Sequence, residues 1–295
     1  ITRLQCSDKG DIGFFKMHSH SVIVFEDCKV LHPKLNETIK VIRPILHHPW
    51  LNLKTIKMGY GEDFGKTVIS IALEDDKLSE GPKKIIDSLM ETNLITTVSV
   101  RGVERSAFAT ISYKAGKFFF QAHIESFIQA NLEQNANLVE TVVNLVKTIS
   151  PKIVLDLFCG IGNISLPISR HVEKVNGVDL NKKAVKDAKG NAKINGIENC
   201  QFKQASALAE ISKITNEGPL PDLVILDPPR EGAKFESKEL VKLGPKDIIY
   251  ISCSPTTLAR DLANFIKAGY SIQSISPIDM FPHSFHVESV THLQK

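Results

Sequence analysis

Hydrophobic and polar positions alternate in two different rhythms along this chain. Through about residue 125 the apolar residues come in short alternating runs: SVIVFED at 21–27, KTVISIALED at 66–75, ITTVSV at 95–100 and KFFFQA at 117–122. Gly, Asp and Lys turns break these runs, and stretches near 33–46 and 80–92 have helical spacing. The pattern predicts a mixed, mostly antiparallel α+β domain over residues 1–125. From Asn131 to Ile149 the apolar positions Leu138, Val142, Leu145, Val146 and Ile149 recur at i, i+4, i+7, i+8 and i+11. That is the stripe of a helix laid on a sheet, and it opens a second domain, expected over 126–295. Unalternating apolar runs follow, KIVLDLF, KVNGVDL, LVILD and DIIYISC, separated by helical stretches. Such runs belong to parallel strands covered on both faces, which predicts an α/β, doubly wound sheet. The last segment, GYSIQSISPIDMFPHSFHVESVTHL, has two strand-like parts and no crossover helix, so an antiparallel pair is expected at the sheet edge.

Composition narrows the class. With 295 residues, 42% hydrophobic and 23% charged, the chain suits two folded domains and neither a disordered nor a low-complexity protein. No run approaches the ~20 apolar residues of a membrane span, and the start ITRLQCSDKG lacks the apolar core of a secretory signal. The five cysteines, Cys6, Cys28, Cys159, Cys200 and Cys253, form no C-x-x-C pair. Reduced thiols in a cytoplasmic setting are the expectation. The net charge of +3 permits a nucleic-acid partner without pointing to one. Because the sequence opens on Ile1 rather than Met, a longer natural protein is expected.

In an open parallel sheet ligands bind beyond the carboxyl ends of the strands, so those ends belong together. The first is Leu155-Asp156-Leu157-Phe158-Cys159-Gly160-Ile161-Gly162-Asn163, a strand running into a glycine turn, with Ser165 where a dinucleotide fingerprint has its third glycine. Asp179, nineteen residues past Gly160, ends the next strand, where a carboxylate can accept both ribose hydroxyls. With no third glycine and no phosphate-binding loop, the ligand expected is an adenosine without pyrophosphate, a description that S-adenosylmethionine fits.

The third end, Leu226-Asp227-Pro228-Pro229-Arg230, stops the strand with two prolines and holds Asp227 and Arg230 at the rim. Enzymes that methylate exocyclic amines commonly place an aromatic residue after the prolines. Arg230 suits negative charge on a ring oxygen or phosphate instead. At the fourth end Cys253 precedes a helix with Ser254 as N-cap, Pro255 at its first position and Gly269 past its end. The helix dipole is expected to lower the Cys253 thiol pKa and favour the nucleophilic thiolate. The segment Asp279–Glu288 carries His283, His286 and Glu288; either Glu288 or His286 could serve as a general base.

Together these segments resemble the RNA uracil-C5 methyltransferase family. The resemblance is carried by Phe127-Ile128-Gln129-Ala130-Asn131, LDLFCGIGNISLP, LDPPREG, ISCSPTTLARDL and DMFPHSFHVE, in the family's order and spacing. It implies a Rossmann-like class I methyltransferase domain, with Cys253 as nucleophile and Glu288 as the base that takes the C5 proton. It implies that Gln129, Phe158, Gly160, Asn163, Asp179 and Asp227 bind S-adenosylmethionine, and that Gln129 and Arg230 approach the target uracil. Chemistry agrees: thiolate addition at C6 makes C5 nucleophilic, and loss of the C5 proton expels the thiol. A uracil in stacked RNA is out of reach, so the target is single-stranded or flipped, and the first domain is the expected RNA grip, with Arg101, Arg105, Lys114 and Lys117 as phosphate contacts.

Three positions depart from the family pattern: Asp179 stands where relatives often have Glu, Ser254 where they usually have Asn, and Ser284 where they usually have Thr. Asp27-Cys28-Lys29-Val30-Leu31 resembles the segment bearing the last of four cysteine ligands of an iron–sulfur cluster in the 23S ribosomal RNA branch. A cluster is expected only if a longer natural chain supplies three more cysteines. Cys28 puts 23S ribosomal RNA ahead of transfer RNA as substrate. The competing readings are methylation of an exocyclic base nitrogen and a non-catalytic RNA-binding module on a methyltransferase fold.

Overall fold

Alternation builds the first sheet. The strands β1 (Thr2–Cys6), β2 (Ile12–Phe15), β3 (Val22–Ile23), β4 (Leu53–Gly61), β5 (Lys66–Leu73) and β6 (Ile95–Val100) pair in the order β3-β2-β1-β4-β5-β6. All neighbours are antiparallel except β5 and β6, which are parallel and joined through helix α2 (Glu80–Met90), since parallel neighbours need a crossover. Helix α1 (Pro33–Leu46) starts at His32, whose Nδ1 accepts from Lys34 N at 3.2 Å, with Pro33 at the first helical position. It buries Leu35, Ile39, Ile42 and Leu46 against Leu4, Ile12, Ile56, Met58 and Ile69 of the sheet. A hairpin, β7 (Thr110–Ala115) and β8 (Phe118–His123), carries the exposed Lys114 and Lys117 near its turn.

The computed structural model describes residues 1–48, 51–61, 65–73, 80–100, 109–280, 282, 284 and 286–295, without the side chains of 80–83. Arg101, Arg105 and His283 lie outside the described residues. Two units emerge, Ile1–Tyr113 with Gln121–Ile128, and Lys114–Phe120 with Gln129–Lys295. In the second unit, Asn195 pairs with the Phe119 backbone, accepting from its N at 2.9 Å and donating to its O at 2.7 Å.

The second unit follows the doubly wound plan. After helix α3 (Leu132–Ile149) come β9 (Ile153–Leu157), α4 (Ser165–Ile168), β10 (Lys174–Asp179), α5 (Lys182–Ile194), β11 (Cys200–Gln204) and α6 (Ala207–Glu217). Then follow β12 (Leu223–Leu226), α7 (Lys234–Leu243), β13 (Asp247–Ser252), α8 (Pro255–Lys267), β14 (Ser271–Ile278) and β15 (Glu288–Gln294). The sheet runs β11-β10-β9-β12-β13-β15-β14. The antiparallel pair expected at the sheet edge is present, and within it the last strand lies between β13 and β14, antiparallel to both. Of this pair β14 forms the edge, and Pro277 in it lacks a ladder donor, as suits an edge.

Continuous apolar runs reflect coverage on both faces. On β12, Leu223 and Ile225 pack with Leu138, Val142 and Val146 of α3, while Val224 and Leu226 pack with Leu240 of α7 and Leu258 and Phe265 of α8. Replacing the fully buried Ile225 with Ala should cost about 2–5 kcal/mol of unfolding free energy, measured by denaturant melts. Leu220→Ala, at a position 56% exposed, should change it by no more than about 0.5 kcal/mol.

Candidate active site

The parallel register lines up the residues at the strand ends. Val178 of β10 is level with Leu157 of β9, which is level with Leu226 of β12, itself level with Tyr250 of β13. Each chain then leaves the sheet at the same edge, presenting Asp179, Phe158 to Gly160, Asp227 and Cys253 in a row. Antiparallel β15 enters where β13 leaves. Ser252 pairs with Ser289 at the end of the ladder, and Cys253 and Glu288 are the residues next to that pair, close enough for the Glu288 charge to act on the thiol.

At the β9–β10 end the glycine turn closes on Asp179. Gly160 N donates to Asp179 Oδ2 at 2.9 Å, and Asn181 N to Oδ1 at 2.7 Å, leaving one lone pair on each oxygen for a further donor. Gly160 has φ +54°, and a Cβ there would meet nothing within 4 Å, so open space lies beside the carboxylate. Phe158 also holds a left-handed backbone, φ 65°, which costs a non-glycine residue energy and gathers at functional sites. Such a cradle can accept a pair of hydroxyl donors.

Asp156 was not assigned a role from sequence. Its carboxyl is fully buried, bonded on one side by Ser165 Oγ, and its Oδ1 has no hydrogen-bond partner among the described residues. Burial, aided by Asp179, pushes it up to about 7 against the pull of Ser165. Asp227 is pushed up to about 8, by burial first and then by Glu288 and Asp156. Burial also raises the Glu288 carboxyl, with Arg230 opposing. Asp179, Asp156, Asp227 and Glu288 are thus coupled carboxylates along one edge, an environment that favours a cation. The signal in the sequence was an acid inside the apolar run KIVLDLF.

Cys253 is half-buried, bracketed by Ser252 Oγ, which accepts from Ser254 N at 3.2 Å and donates to Ser254 O at 3.1 Å. Ser254 caps α8 through Thr257 N at 3.4 Å, with Pro255 following, as the sequence implies. The thiol expectation needs correction. Cys253 is raised above its ordinary 9.0, by burial first and by Glu288 next, with Arg230 and its own backbone pulling down and Asp227 pushing up. Burial is the largest raising cause, and the carboxylates Glu288 and Asp227 add to it. The charges acting on the thiol are those of Glu288, Arg230 and Asp227; His286, the other candidate base, lies before β15 begins.

Asn163 is engaged by Asn135 of α3 in a reciprocal amide pair, 2.9 Å each way, which fixes the amide's orientation. Gln129 is half-buried in the segment leading into α3. Two residues on, Asn131 caps that helix through Gln134 N at 3.1 Å and donates to Met280 O at 3.4 Å, tying the segment to the chain that leads to Glu288. This tie was invisible in the sequence, because it joins residues 149 apart. Among the described residues no three His, Cys, Asp or Glu side chains converge on a metal position. Cys28 is held through its backbone, N donating to Asn36 Oδ1 at 3.1 Å and O accepting from Asn36 Nδ2 at 3.0 Å.

The family model "tRNA (Uracil-5-)-methyltransferase" matches residues 107–295. A protein of Enterococcus faecalis named "Uncharacterized RNA methyltransferase" is 32% identical, over 96% of this chain and 67% of its own length. One of the same name from Aquifex aeolicus is 31% identical over 96% and 67%. The Pyrococcus abyssi tRNA (uracil-54, C5)-methyltransferase, solved with S-adenosyl-L-homocysteine, superposes with TM-score 0.73 at 25% identity, over 99% of this chain and 74% of its own.

Asp227 gives a pH prediction. Its carboxyl is protonated in the fold up to about pH 8, whereas the unfolded chain releases that proton near 3.8. The native state then binds the extra proton in between, so stability falls as pH rises from about 4 to about 8. Thermal melts across this range should show that decline, and Asp227→Asn should flatten it and be the more stable protein at pH 8. A variant as steeply pH-dependent as the parent contradicts the assignment.

Proposed function

Because the chain belongs to the tRNA (uracil-5-)-methyltransferase family, among the S-adenosylmethionine-dependent RNA methyltransferases of Rossmann-like class I fold, we propose that it methylates C5 of a uridine in structured RNA through a covalent Cys253 adduct. The observation that supports the proposal is that the paired strands β13 and β15 end at Ser252 and Ser289, each next to one of Cys253 and Glu288, and that the Glu288 charge acts on the thiol.

Roles follow from position. Asp179 accepts the ribose hydroxyls, Gly160 permits close approach, and Phe158, Asn163 and Gln129 complete the cofactor pocket. Asp227 and its coupled neighbours favour the positive end of the bound group. S-adenosylmethionine supplies an electrophilic methyl on a sulfonium. Cys253 Sγ bonds to C6, and electron density moves to C5 and the ring oxygen, where Arg230 stabilises negative charge. C5 takes the methyl group as the sulfur–methyl bond breaks. Glu288 then removes the C5 proton, the C5=C6 bond reforms and the C6–S bond breaks, returning the thiolate. Burial of Glu288 suits it to this, since a raised carboxyl is the stronger base. Gln129 lies with Arg230 on the uracil side.

The substrate RNA is approached from two directions. Cys28 and its flanks support the 23S ribosomal branch, whereas the family model and the Pyrococcus structure carry transfer RNA names. The first unit is the proposed grip on flanking nucleotides, and Lys114 and Lys117, on the hairpin segment that belongs to the second unit, are proposed phosphate contacts.

Incubation with labelled S-adenosylmethionine and undermodified ribosomal and transfer RNA fractions, followed by nucleoside mass spectrometry, should give 5-methyluridine in one of them. A methylated exocyclic nitrogen, or no methylation, overturns the reading. Cys253→Ala should lower turnover by at least about a thousandfold while cofactor affinity stays within about twofold. Glu288→Gln should accumulate a protein–RNA adduct stable to denaturation; normal turnover without adduct rejects the base assignment.

A further inference from the structure

Thr257, Arg260 and Asp261 stand at i, i+3 and i+4 on one side of α8, and each bonds to the loop that carries Arg230. Thr257 Oγ1 lies 3.2 Å from Arg230 O and 3.2 Å from Ser254 O, so its one proton is shared between the arginine's backbone carbonyl and that of the residue after Cys253. Arg260 Nη2 donates to Glu231 O at 2.8 Å. Asp261 Oδ2 accepts from Ala233 N at 2.7 Å and from Tyr250 Oη at 2.8 Å, and Arg260 Nε donates to its Oδ1 at 2.8 Å. The loop is shaped to this grip. Gly232 has φ +74°, and a Cβ there would come within 2.6 Å of Asp261 Oδ2 and 2.7 Å of Arg260 Nη2.

Asp261 is wholly buried on the same side of α8 as Leu258, Leu262 and Phe265. A buried carboxylate is costly unless its bonds are all met, and an apolar residue would pack there without that cost. The bonds it makes fix Ala233 and Arg260, hence the path of Arg230 to Ala233, rather than the helix itself. This network ties the loop after β12 to the start of α8.

We infer that Thr257, Arg260 and Asp261 are positioning residues, a clasp that holds Arg230 toward the Cys253 thiol and Glu288. The inference rests on reading Cys253 as the reactive thiol. The charges facing that thiol are Glu288 and Asp227, which oppose its ionisation, and Arg230, which favours it. Loosening the clasp leaves the thiol to the two carboxylates.

The test needs neither RNA nor methyl donor: the pH dependence of iodoacetamide alkylation at Cys253, followed peptide by peptide in the mass spectrometer. Thr257→Val should move the alkylation midpoint up by about half to one pH unit, three- to tenfold less thiolate at a fixed pH below it. Arg230→Ala should do the same, and adding Thr257→Val to Arg230→Ala should move it no further. Thr257→Ser, which keeps the hydroxyl, should restore the parent profile. Asp261→Asn should act like Thr257→Val; if it does not fold, Thr257→Val decides. An unmoved midpoint in Thr257→Val, or an equal shift with Arg230 absent, overturns the clasp. Failure of methyl transfer to RNA with these shifts intact would instead count against the proposed function.

Discussion

The site depends on the register between β13 and β15. Those strands are antiparallel, with Ser252 opposite Ser289, and a slip by one residue would turn every side chain of β15 to the other face, Glu288 with them. Polar contacts at both ends hold the register. At the active-site end Ser289 Oγ donates to Ser252 O at 3.3 Å. At the far end Asp247 Oδ1 meets His292 Nε2 at 2.8 Å and accepts from Gln294 Nε2 at 3.1 Å. Apolar packing alone specifies register weakly when a strand is buried on both faces, as β15 is, so these buried polar pairs supply what hydrophobic burial leaves open.

Around that pair the electrostatics are unbalanced toward acid. Asp156, Asp227 and Glu288 all sit above their ordinary ionisation range, chiefly because the sheet edge is desolvated, and each raises a neighbour. Left to itself such an edge would hold protons instead of charge. A cationic methyl donor and the Arg230 guanidinium are the two positive partners the reading supplies. The raised Cys253 thiol belongs to the same balance, since the acids that welcome a cation also disfavour a thiolate. The position of Arg230 therefore carries unusual weight.

Much of this was legible in the sequence because it is local. The runs LVILD and DIIYISC announced strands covered on both faces, and Ser254, Pro255 and Gly269 announced the limits of α8. The strand ends therefore gave Asp179, Asp227 and Cys253 directly. What stayed hidden was set by contacts between distant segments. The insertion of β15 inside β14 depends on pairing energies along two long ladders, and the edge strand β11, with Gln201, Lys203 and Gln204 exposed, has little apolar signal. Lys54 and Lys57 likewise obscured β4, although Ile56 and Met58 beside them are fully buried. The raising of the thiol was hidden for the same reason: the helix end is visible in sequence, but the burial of Cys253 and the carboxylates Glu288 and Asp227 come from other segments.

The most direct measurement uses RNA in which uridine is replaced by 5-fluorouridine, whose C5 fluorine the base cannot remove as a proton. In the presence of S-adenosylmethionine the account predicts a one-to-one protein–RNA species that survives denaturation, with the nucleotide mass on the peptide containing Cys253. Absence of such a species with RNA that is methylated in its ordinary form, or attachment at another residue, would contradict it.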